Sequence, residues 1–375
     1  MIAGAVSEVR ALARDFAARE VAPLVARTDR EHRFPEEAIA RAAELGLLGI
    51  SVPEKYGGAG MTHTDFATLI EEVARVCAST AVIIDVHTSV GTEPILMYGT
   101  EDQRQRWLPD LCSGRRLGAF CLTEAGAGSD AGSLRTSARR VDGGYLLNGS
   151  KIFITNLGRA GLYTVMARTG GDGPGGITAF VVEAENPGVR CGQPFDKMGL
   201  HGSPTGEVEF TECFVPESSR LGDEGMGFRV AMSALDSGRI GISAQALGIA
   251  QGALDDATAY VKERQQFGKP LAEFQGLQFM LADMATQVEA SRLLVYRAAE
   301  LCDAGLPFAR EASIAKLFCT DTAMSVTTDA VQLFGGYGYM EEYPVARRMR
   351  DAKACQIYEG TNQVQRIVIA RQLLR

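Results

Sequence analysis

The sequence lacks the patterns that mark metal sites and disulfide frameworks. Its eight cysteines are scattered along 375 residues without a Cys-x-x-Cys pair, and its four histidines do not have metal-ligand spacing. A reducing compartment is the simplest inference from so many dispersed thiols. We therefore expect neither a bound metal ion nor a stabilising disulfide.

Excess positive charge and long apolar runs are also missing. The formal net charge of −8 argues against nucleic acid as the main partner and leaves the binding of any anionic ligand to local basic residues. No apolar run reaches membrane-spanning length, and the first 30 residues carry no apolar segment before a cleavage site. The sequence thus predicts a cytoplasmic protein without a membrane partner, with the mature form of a mitochondrial matrix protein left open.

Two sequence patterns, one helical and one typical of β-strands, occur in turn along the chain and predict an α+β protein that is mostly helical. Apolar residues at three- and four-residue spacing, interrupted by Pro and Gly, predict an N-terminal helical domain over 1–117. Short β-branched and aromatic runs between turn residues predict a middle β domain over 118–222. The helical period then returns and predicts a C-terminal helical domain over 223–375.

The segment DAKACQIYEGTNQVQR near the C-terminus presents one carboxylate in the setting of a catalytic base. Glu359 lies between Tyr358, which can exclude water, and Gly360, which lets a substrate carbonyl approach the backbone closely. Thr361 or Asn362 can cap the helix that follows. Desolvation makes a carboxylate a stronger base. The alternative is that Glu359 is a solvated acid in the first turn of that helix, favoured by the helix dipole.

The glycine-rich run GAGSDAG at 126–132 invites comparison with a dinucleotide-binding loop, but its context argues against a nicotinamide fold. Its spacing is G-x-G-x-x-x-G, and a strand-like segment follows where a helix would have to receive the pyrophosphate. Thr123, Ser129 and the glycines suit the polar edge of a flat heterocycle. A plain turn is the alternative for this loop taken alone.

Six motifs together resemble the acyl-CoA dehydrogenase family, in this order along nearly the whole chain: LTEAGAGSD at 122–130, FITN at 153–156, KMGLHGS at 197–203, ERQQFGKP at 263–270, QLFGGYGY at 332–339 and IYEGT at 357–361. The short-chain, butyryl-CoA branch looks closest, particularly through LDSGRIGISAQALGIAQ at 235–251.

The resemblance implies a fold, a reaction and partners. The fold is an N-terminal helical domain, a central β-barrel or sandwich and a C-terminal four-helix bundle, assembled as a homotetramer that is a dimer of dimers. The reaction is dehydrogenation of an acyl-CoA to a trans-2-enoyl-CoA. Glu359 removes the α-proton, FAD accepts the hydride, and the electrons pass to an electron-transfer flavoprotein.

The resemblance also implies the binding residues. Those for FAD are Phe120, Leu122, Thr123, Gly128, Ser129, Phe153, Ile154, Thr155, Arg264, Phe267, Gln275, Thr361 and Gln363, with Gln332, Gly335 and Gly336 reaching the cofactor from an adjacent subunit. Those for the substrate are Ser129, Asp236, Arg239, Tyr358 and Gly360. Some relatives place the base at the position of Gly238, and because glycine has no carboxylate, Glu359 remains.

Taken alone, several of these residues have ordinary interpretations. Arg264 reads as a solvated cation at a helix end, although a guanidinium in an acidic protein also suits a pyrophosphate. Phe153 reads as a strand core residue. Asp236 and Arg239 read as charges that open a long helix after Leu235, where a cation is mildly unfavourable.

The histidines and the acyl cavity complete the expectations. We expect His32 and His63 at the surface, His87 as a buried and satisfied polar group, and His201 at the substrate entry. The stretch 76–103, which borders the acyl cavity in the resembling family, contains no Arg or Lys, so dicarboxyl substrates are disfavoured.

Two rival functions stay open at this stage. An acyl-CoA oxidase would perform the same half-reaction and return the electrons to oxygen. A non-catalytic scaffold that binds acyl-CoA or flavin would perform none, and the intact Glu359 counts against it.

Overall fold

The computed structural model of the chain describes residues 5–374. Its α-helices are α1 Ala5–Phe16, α2 Val25–Arg30, α3 Glu36–Glu44, α4 His63–Ala74, α5 Ala78–Asp85, α6 Glu93–Tyr98, α7 Glu101–Cys112, α8 Gly227–Glu263, α9 Gln275–Asp303, α10 Ala309–Phe334, α11 Pro344–Cys355 and α12 Asn362–Leu373. Its strands are β1 Leu117–Cys121, β2 Ser137–Val141, β3 Gly144–Thr155, β4 Ala160–Arg168, β5 Ile177–Glu183, β6 Val189–Cys191, β7 Thr205–Pro216, β8 Arg220–Leu221, β9 Gln265–Gln266 and β10 Lys269–Pro270.

Two of the N-terminal helices, α4 and α7, begin at side-chain caps that the sequence supplies. Thr62 and Asp65 form a reciprocal capping box at α4, and Thr100 and Gln103 form another at α7. The apolar sequence over 79–97 predicts a single helix, but in the structure a π-helical segment at Val86–Thr92 lies between α5 and α6. Such segments occur frequently at functional sites.

The middle of the chain forms one eight-stranded sheet. Seven strands follow the order β6-β7-β3-β2-β4-β5-β8, and β1 pairs with β4 in parallel. Most other pairs are antiparallel, including the long β3–β7 ladder. That ladder changes register between Lys151 and Ile154, which marks a bulge in β3.

The C-terminal part is organised by α8, which has 37 residues and is therefore about 55 Å long. It packs against α10, α9 and the N-terminal α4, so one apolar core runs through the helices of both ends of the chain. No helix within residues 5–374 is long and apolar enough to cross a membrane. The mostly helical α+β architecture is confirmed.

Candidate active site

Glu359 lies in the short loop between α11 and α12, in a backbone conformation that side chains rarely adopt. Its φ is +50°, and Gly360 follows with a φ of +88°. The main-chain carbonyls of this loop are held by two buried side chains: Lys316 Nζ donates to the Gly360 oxygen at 2.8 Å, and Gln365 Nε2 donates to the oxygens of Gly360 and Glu359 at 2.9 and 3.2 Å. Strained residues fixed in this way cluster at functional sites.

The Glu359 carboxyl group is desolvated. Both of its oxygens are buried and have no hydrogen-bond partner among the described residues. Burial raises the pKa of Glu359 to about 7, although the charges of Arg239 and Lys316 oppose the rise and Glu93 adds to it. The interpretation as a solvated first-turn acid is wrong, since α12 begins at Asn362 and Thr361 is its N-cap, accepting from the Val364 amide.

One face of α8 forms the wall opposite Glu359. A Cβ atom built on Gly238 would overlap the Glu359 carboxylate, and one built on Gly241 would overlap the carboxylate of Asp85. Gln245 continues this face and accepts a hydrogen bond from the Tyr358 hydroxyl. The three α8 residues are spaced i, i+3 and i+7, which aligns them along one side of the helix.

The predicted position of Asp236 and Arg239 on α8 is corrected by the structure. The helix begins at Gly227, so both residues lie in its interior, more than two turns from the N-terminus. Arg239 is buried and paired with Asp236, and burial lowers its pKa. Its guanidinium therefore supplies a fixed positive charge near the base, where a helix-end position would have left it solvated.

The bulge in β3 turns Phe153 outward. Phe153 has a φ of +60° and is 64% exposed, so the interpretation as a strand core residue is wrong. Its main-chain neighbour Ile152 donates to the Thr123 oxygen at 2.9 Å, which brings the strand beside the glycine-rich loop. Thr155 is half-buried at the end of the strand. An exposed aromatic beside two threonines fits the face and polar edge of a flat heterocycle.

A buried ion pair holds the glycine-rich loop against the sheet. Lys151 Nζ lies 2.8 Å from Glu124 Oε1 and donates to the Leu122 oxygen at 3.1 Å. Glu124 also accepts from the main-chain amides of Arg135 and Thr136. These bonds leave Gly128 and Ser129 exposed at the loop surface. The backbone of the loop is therefore accessible to a ligand, and the loop is already held in place before a ligand binds.

Some of the predicted FAD-binding residues in this region have side chains that do not reach the surface. Ile154 and Leu122 are buried in the apolar core, so only their main-chain groups face the loop and strand surface. Phe120 is half-buried. The Asn156 amide donates to the Gly118 oxygen at 3.0 Å and reaches the Ile83 oxygen at 3.4 Å, which ties the end of β3 to α5 and so to the Glu359 region.

A second cluster, which we call the distal cluster, contains the Arg264 side chain, Phe267, Tyr337 and the end of α10. Arg264 lies over the Tyr337 ring, 5.3 Å from its centroid, and no carboxylate among the described residues pairs with it. Phe267 is 93% exposed with a φ of +54°, in the two-residue turn between β9 and β10. The remaining predicted residues of this region are exposed: Gln275, Gln332, Gly335 and Gly336.

The distal cluster is far from Glu359 in the same chain. Gly238, against the base, and Arg264, at the end of α8, are 26 residues apart on one continuous helix, or about 39 Å. One dinucleotide cannot span that distance. The predicted cofactor residues therefore form two separate groups in one chain.

The histidine expectations are partly wrong. His63 is not a free surface residue: burial opposes its charge, but Asp303 and Glu93 raise its pKa to about 12. His87 is buried and accepts from the Gly118 amide at 2.9 Å, while its Nε2 has no partner within residues 5–374, so it is only half satisfied. Burial lowers its pKa to about 4.

The other two histidines pack on each other. The rings of His32 and His201 stack with centroids 4.0 Å apart, and His201 Nε2 lies 2.8 Å from the Lys197 oxygen. His201 Nδ1 pairs with Asp29. These contacts hold the KMGLHGS loop against the N-terminal helices.

Sequence reasoning missed Asp85, Lys316 and Gln245 as residues of this site. Asp85 is the single acid in the apolar run of α5, and that isolation was an available signal. Lys316 and Gln245 lie in long helices among many polar residues, so nothing in the local sequence distinguished them.

Comparison with known proteins identifies relatives along the full length. Sequence profiles described as acyl-CoA dehydrogenase N-terminal, middle and C-terminal domains match residues 5–115, 119–213 and 225–374. An acyl-CoA dehydrogenase of Bacillus subtilis is 53% identical over 98% of this chain and 97% of its own length.

Two solved structures share the fold closely. Butyryl-CoA dehydrogenase from Megasphaera elsdenii has a TM-score of 0.97 and 49% identity, covering 99% of this chain and 98% of that one. A chain in a structure of an electron transferring flavoprotein of Acidaminococcus fermentans, described in connection with flavin-based electron bifurcation, has the same TM-score, identity and coverage.

Proposed function

Because this chain belongs to the acyl-CoA dehydrogenase family, we propose that it dehydrogenates a short-chain acyl-CoA to the trans-2-enoyl-CoA and passes the electrons to an electron-transferring flavoprotein. FAD is the cofactor of the family and of this chain. The assignment to short acyl chains is supported by the likeness to butyryl-CoA dehydrogenase.

The observation that carries the proposal is the desolvated Glu359 carboxylate. Its pKa of about 7 gives a base that is about half ionised at neutral pH and stronger than an ordinary glutamate. We assign Glu359 as the base that removes the α-proton of the substrate. The proton is transferred to a carboxyl oxygen of Glu359. Bound FAD supplies the acceptor for the hydride that leaves the β-carbon.

The surrounding residues prepare this proton transfer. Lys316 and Gln365 fix the Glu359–Gly360 carbonyls, which aims the carboxylate at the notch formed by Gly238. The Glu359 main-chain N–H makes no hydrogen bond to another main-chain group in the described residues, so it is available to the thioester carbonyl, where negative charge develops. Tyr358, held by Gln245, excludes water from one side of the base.

The residues present fit FAD. We assign the isoalloxazine ring to the surface between Phe153, Thr123 and Thr155, where the exposed aromatic would otherwise face solvent. The loop at Gly128 and Ser129 would approach the cofactor through its backbone. On the substrate side, we assign Ser129, Asp236, Arg239, Tyr358 and Gly360 to the thioester and CoA.

The distal cluster is assigned to the cofactor of another subunit. Since about 39 Å of α8 separates Arg264 from the base region, this guanidinium cannot serve the flavin of its own chain. We propose that Arg264, Phe267 and Gln332–Gly336 bind the phosphate and adenosine part of a neighbour's FAD, in a homotetramer built as a dimer of dimers. A cytoplasmic location is supported by the eight free cysteines.

Anaerobic reduction of the bound flavin by butyryl-CoA tests the proposal. We expect bleaching of the flavin absorbance within one turnover, followed by reoxidation on addition of an electron-transferring flavoprotein. A flavin-loaded protein that no acyl-CoA of four to eight carbons reduces would be a binding scaffold. Reoxidation by oxygen as fast as by the flavoprotein would make it an oxidase.

A further inference from the structure

A second carboxylate lies beside the base. Asp85 ends α5, is fully buried, and contacts α8 so closely that a Cβ atom on Gly241 would overlap it. Gly238 and Gly241 are three residues apart on one face of α8, which separates their Cβ positions by about 5–6 Å. The carboxyl groups of Glu359 and Asp85 therefore occupy adjacent notches of one helix.

Asp85 has no cation to compensate its charge. No lysine, arginine or histidine among the described residues forms an ion pair with it, and its charged neighbours are Glu359 and Glu93. Burial, and then the charge of Glu359, raises the pKa of Asp85 well above the usual range. The uncharged form of Asp85 is therefore favoured beside an ionised Glu359.

The hydrogen bonds of Asp85 leave its Oδ2 atom without a donor. The Ser89 hydroxyl lies 2.7 Å from the Asp85 main-chain oxygen and 3.1 Å from Oδ1. Because a hydroxyl has one proton, donation to the main chain leaves Ser89 Oγ as an acceptor for a protonated Oδ1. Oδ2 is then a buried acceptor, and it has no partner within residues 5–374.

We propose that Asp85 is a specificity-determining residue that accepts a hydrogen bond from a hydroxyl group on the acyl chain, so that the substrate is a short hydroxyacyl-CoA. This inference rests on the proposed dehydrogenase function. Because the Cβ positions of the two notches are about 5–6 Å apart, a hydroxyl two carbons beyond an α-carbon that faces Glu359 would lie beside the Asp85 carboxyl group.

Other polar acyl groups fit less well. An ammonium group would pair best with an ionised Asp85, and burial together with the charge of Glu359 disfavours that ionised form. A carboxylate would bring a further acid beside Asp85, Glu93 and Glu359. A plain methyl group would leave the Asp85 oxygen buried without a donor, which costs binding free energy.

The test compares 4-hydroxybutyryl-CoA with pentanoyl-CoA, which differ by a hydroxyl in place of a methyl group. Sites built to bind a substrate hydroxyl reject the analogue that lacks it, so we expect the flavin-loaded wild type to favour the hydroxy substrate in kcat/KM by about tenfold or more. Asp85→Ala should remove or reverse this preference. Asp85→Asn, which is nearly isosteric and keeps an acceptor oxygen, should retain part of it.

The ratio of the two kcat/KM values is measured within each variant, so a general loss of folding or flavin cancels. Thr80→Val is the matched control, since Thr80 is buried in the same helix but lies roughly 140° around it from Asp85. An equal ratio in the wild type and Asp85→Ala overturns the inference while leaving the dehydrogenase intact, as does a preference for 4-aminobutyryl-CoA. Failure to oxidise any of these thioesters would overturn the proposed function instead.

Discussion

Replacing Glu359 by glutamine should inactivate the enzyme and stabilise it in a pH-dependent way. The change is nearly isosteric, so we expect FAD to remain bound. The kcat for dehydrogenation should fall by about 10²–10⁴-fold or more, which is the contribution of a typical general base. Retention of more than about a tenth of wild-type kcat would rule out Glu359 as the base.

The stability effect follows from the same desolvation. The folded-state pKa of about 7 lies above the ordinary value of 4.5, so the folded protein holds this proton more tightly than the unfolded chain. The wild type therefore loses stability as the pH rises from 4.5 through 7, by up to about 3 kcal/mol, whereas glutamine does not titrate. The variant should be the more stable protein above pH 7, with little difference near pH 4.5.

The assay is thermal unfolding of the flavin-loaded proteins at pH 5, 6, 7 and 8. The gap between the Glu359→Gln variant and the wild type should widen across this series. Asp85, Glu93, Arg239 and Lys316 face the group and are present in both proteins, so their direct contributions largely cancel. Glu263→Gln, at an exposed helix end, is the control and should show no such trend. A constant gap would mean that the Glu359 carboxylate is solvated in the folded protein, which refutes the reasoning.

Three further outcomes are expected. In the wild type, kcat/KM should rise with pH through about 7 as Glu359 ionises. Lys316→Met removes a positive charge that lowers the pKa of Glu359, so it should move this rise to higher pH. An unchanged pH profile would show that Lys316 does not affect the pKa of Glu359. Arg264→Ala should lose flavin on dilution and gel filtration, since a charge-assisted hydrogen bond contributes about 1.5–3 kcal/mol, whereas full retention would make it a surface cation. Among unsubstituted acyl groups, kcat/KM should peak at roughly four to six carbons and fall about tenfold or more by twelve, and dodecanoyl-CoA matching butyryl-CoA would contradict the short-chain assignment.

The sequence was sufficient for the fold and for the residues whose local context is unusual. Glu359 in an aromatic-acid-glycine run could be found because loop, cap and helix are adjacent in sequence. The sequence predicts too late a start for α8, because the residues before Leu235 carry no capping signal and the helix has no side-chain cap. Contacts between distant segments, such as Gly241 with Asp85, depend on packing and have no local signature.

Backbone strain at Phe153 and Phe267 also could not be predicted from the sequence. A bulge in β3 and a two-residue turn after α8 place Phe153 and Phe267 at positive φ and expose their rings. Local propensity favours the opposite for both, a buried extended residue in the first case and a glycine or asparagine in the second. The resemblance pointed to both residues, while their physical setting became apparent only in three dimensions.

The length of α8 has a genetic consequence. If one chain supplies the base and its neighbour supplies the arginine, Glu359→Gln and Arg264→Ala are defects of different halves of the same site. Co-expression of the two inactive chains would create mixed oligomers in which some sites combine an intact base with an intact arginine. Two alleles that each fail alone would then complement each other within one assembly, and a doubly mutated chain could be rescued by neither.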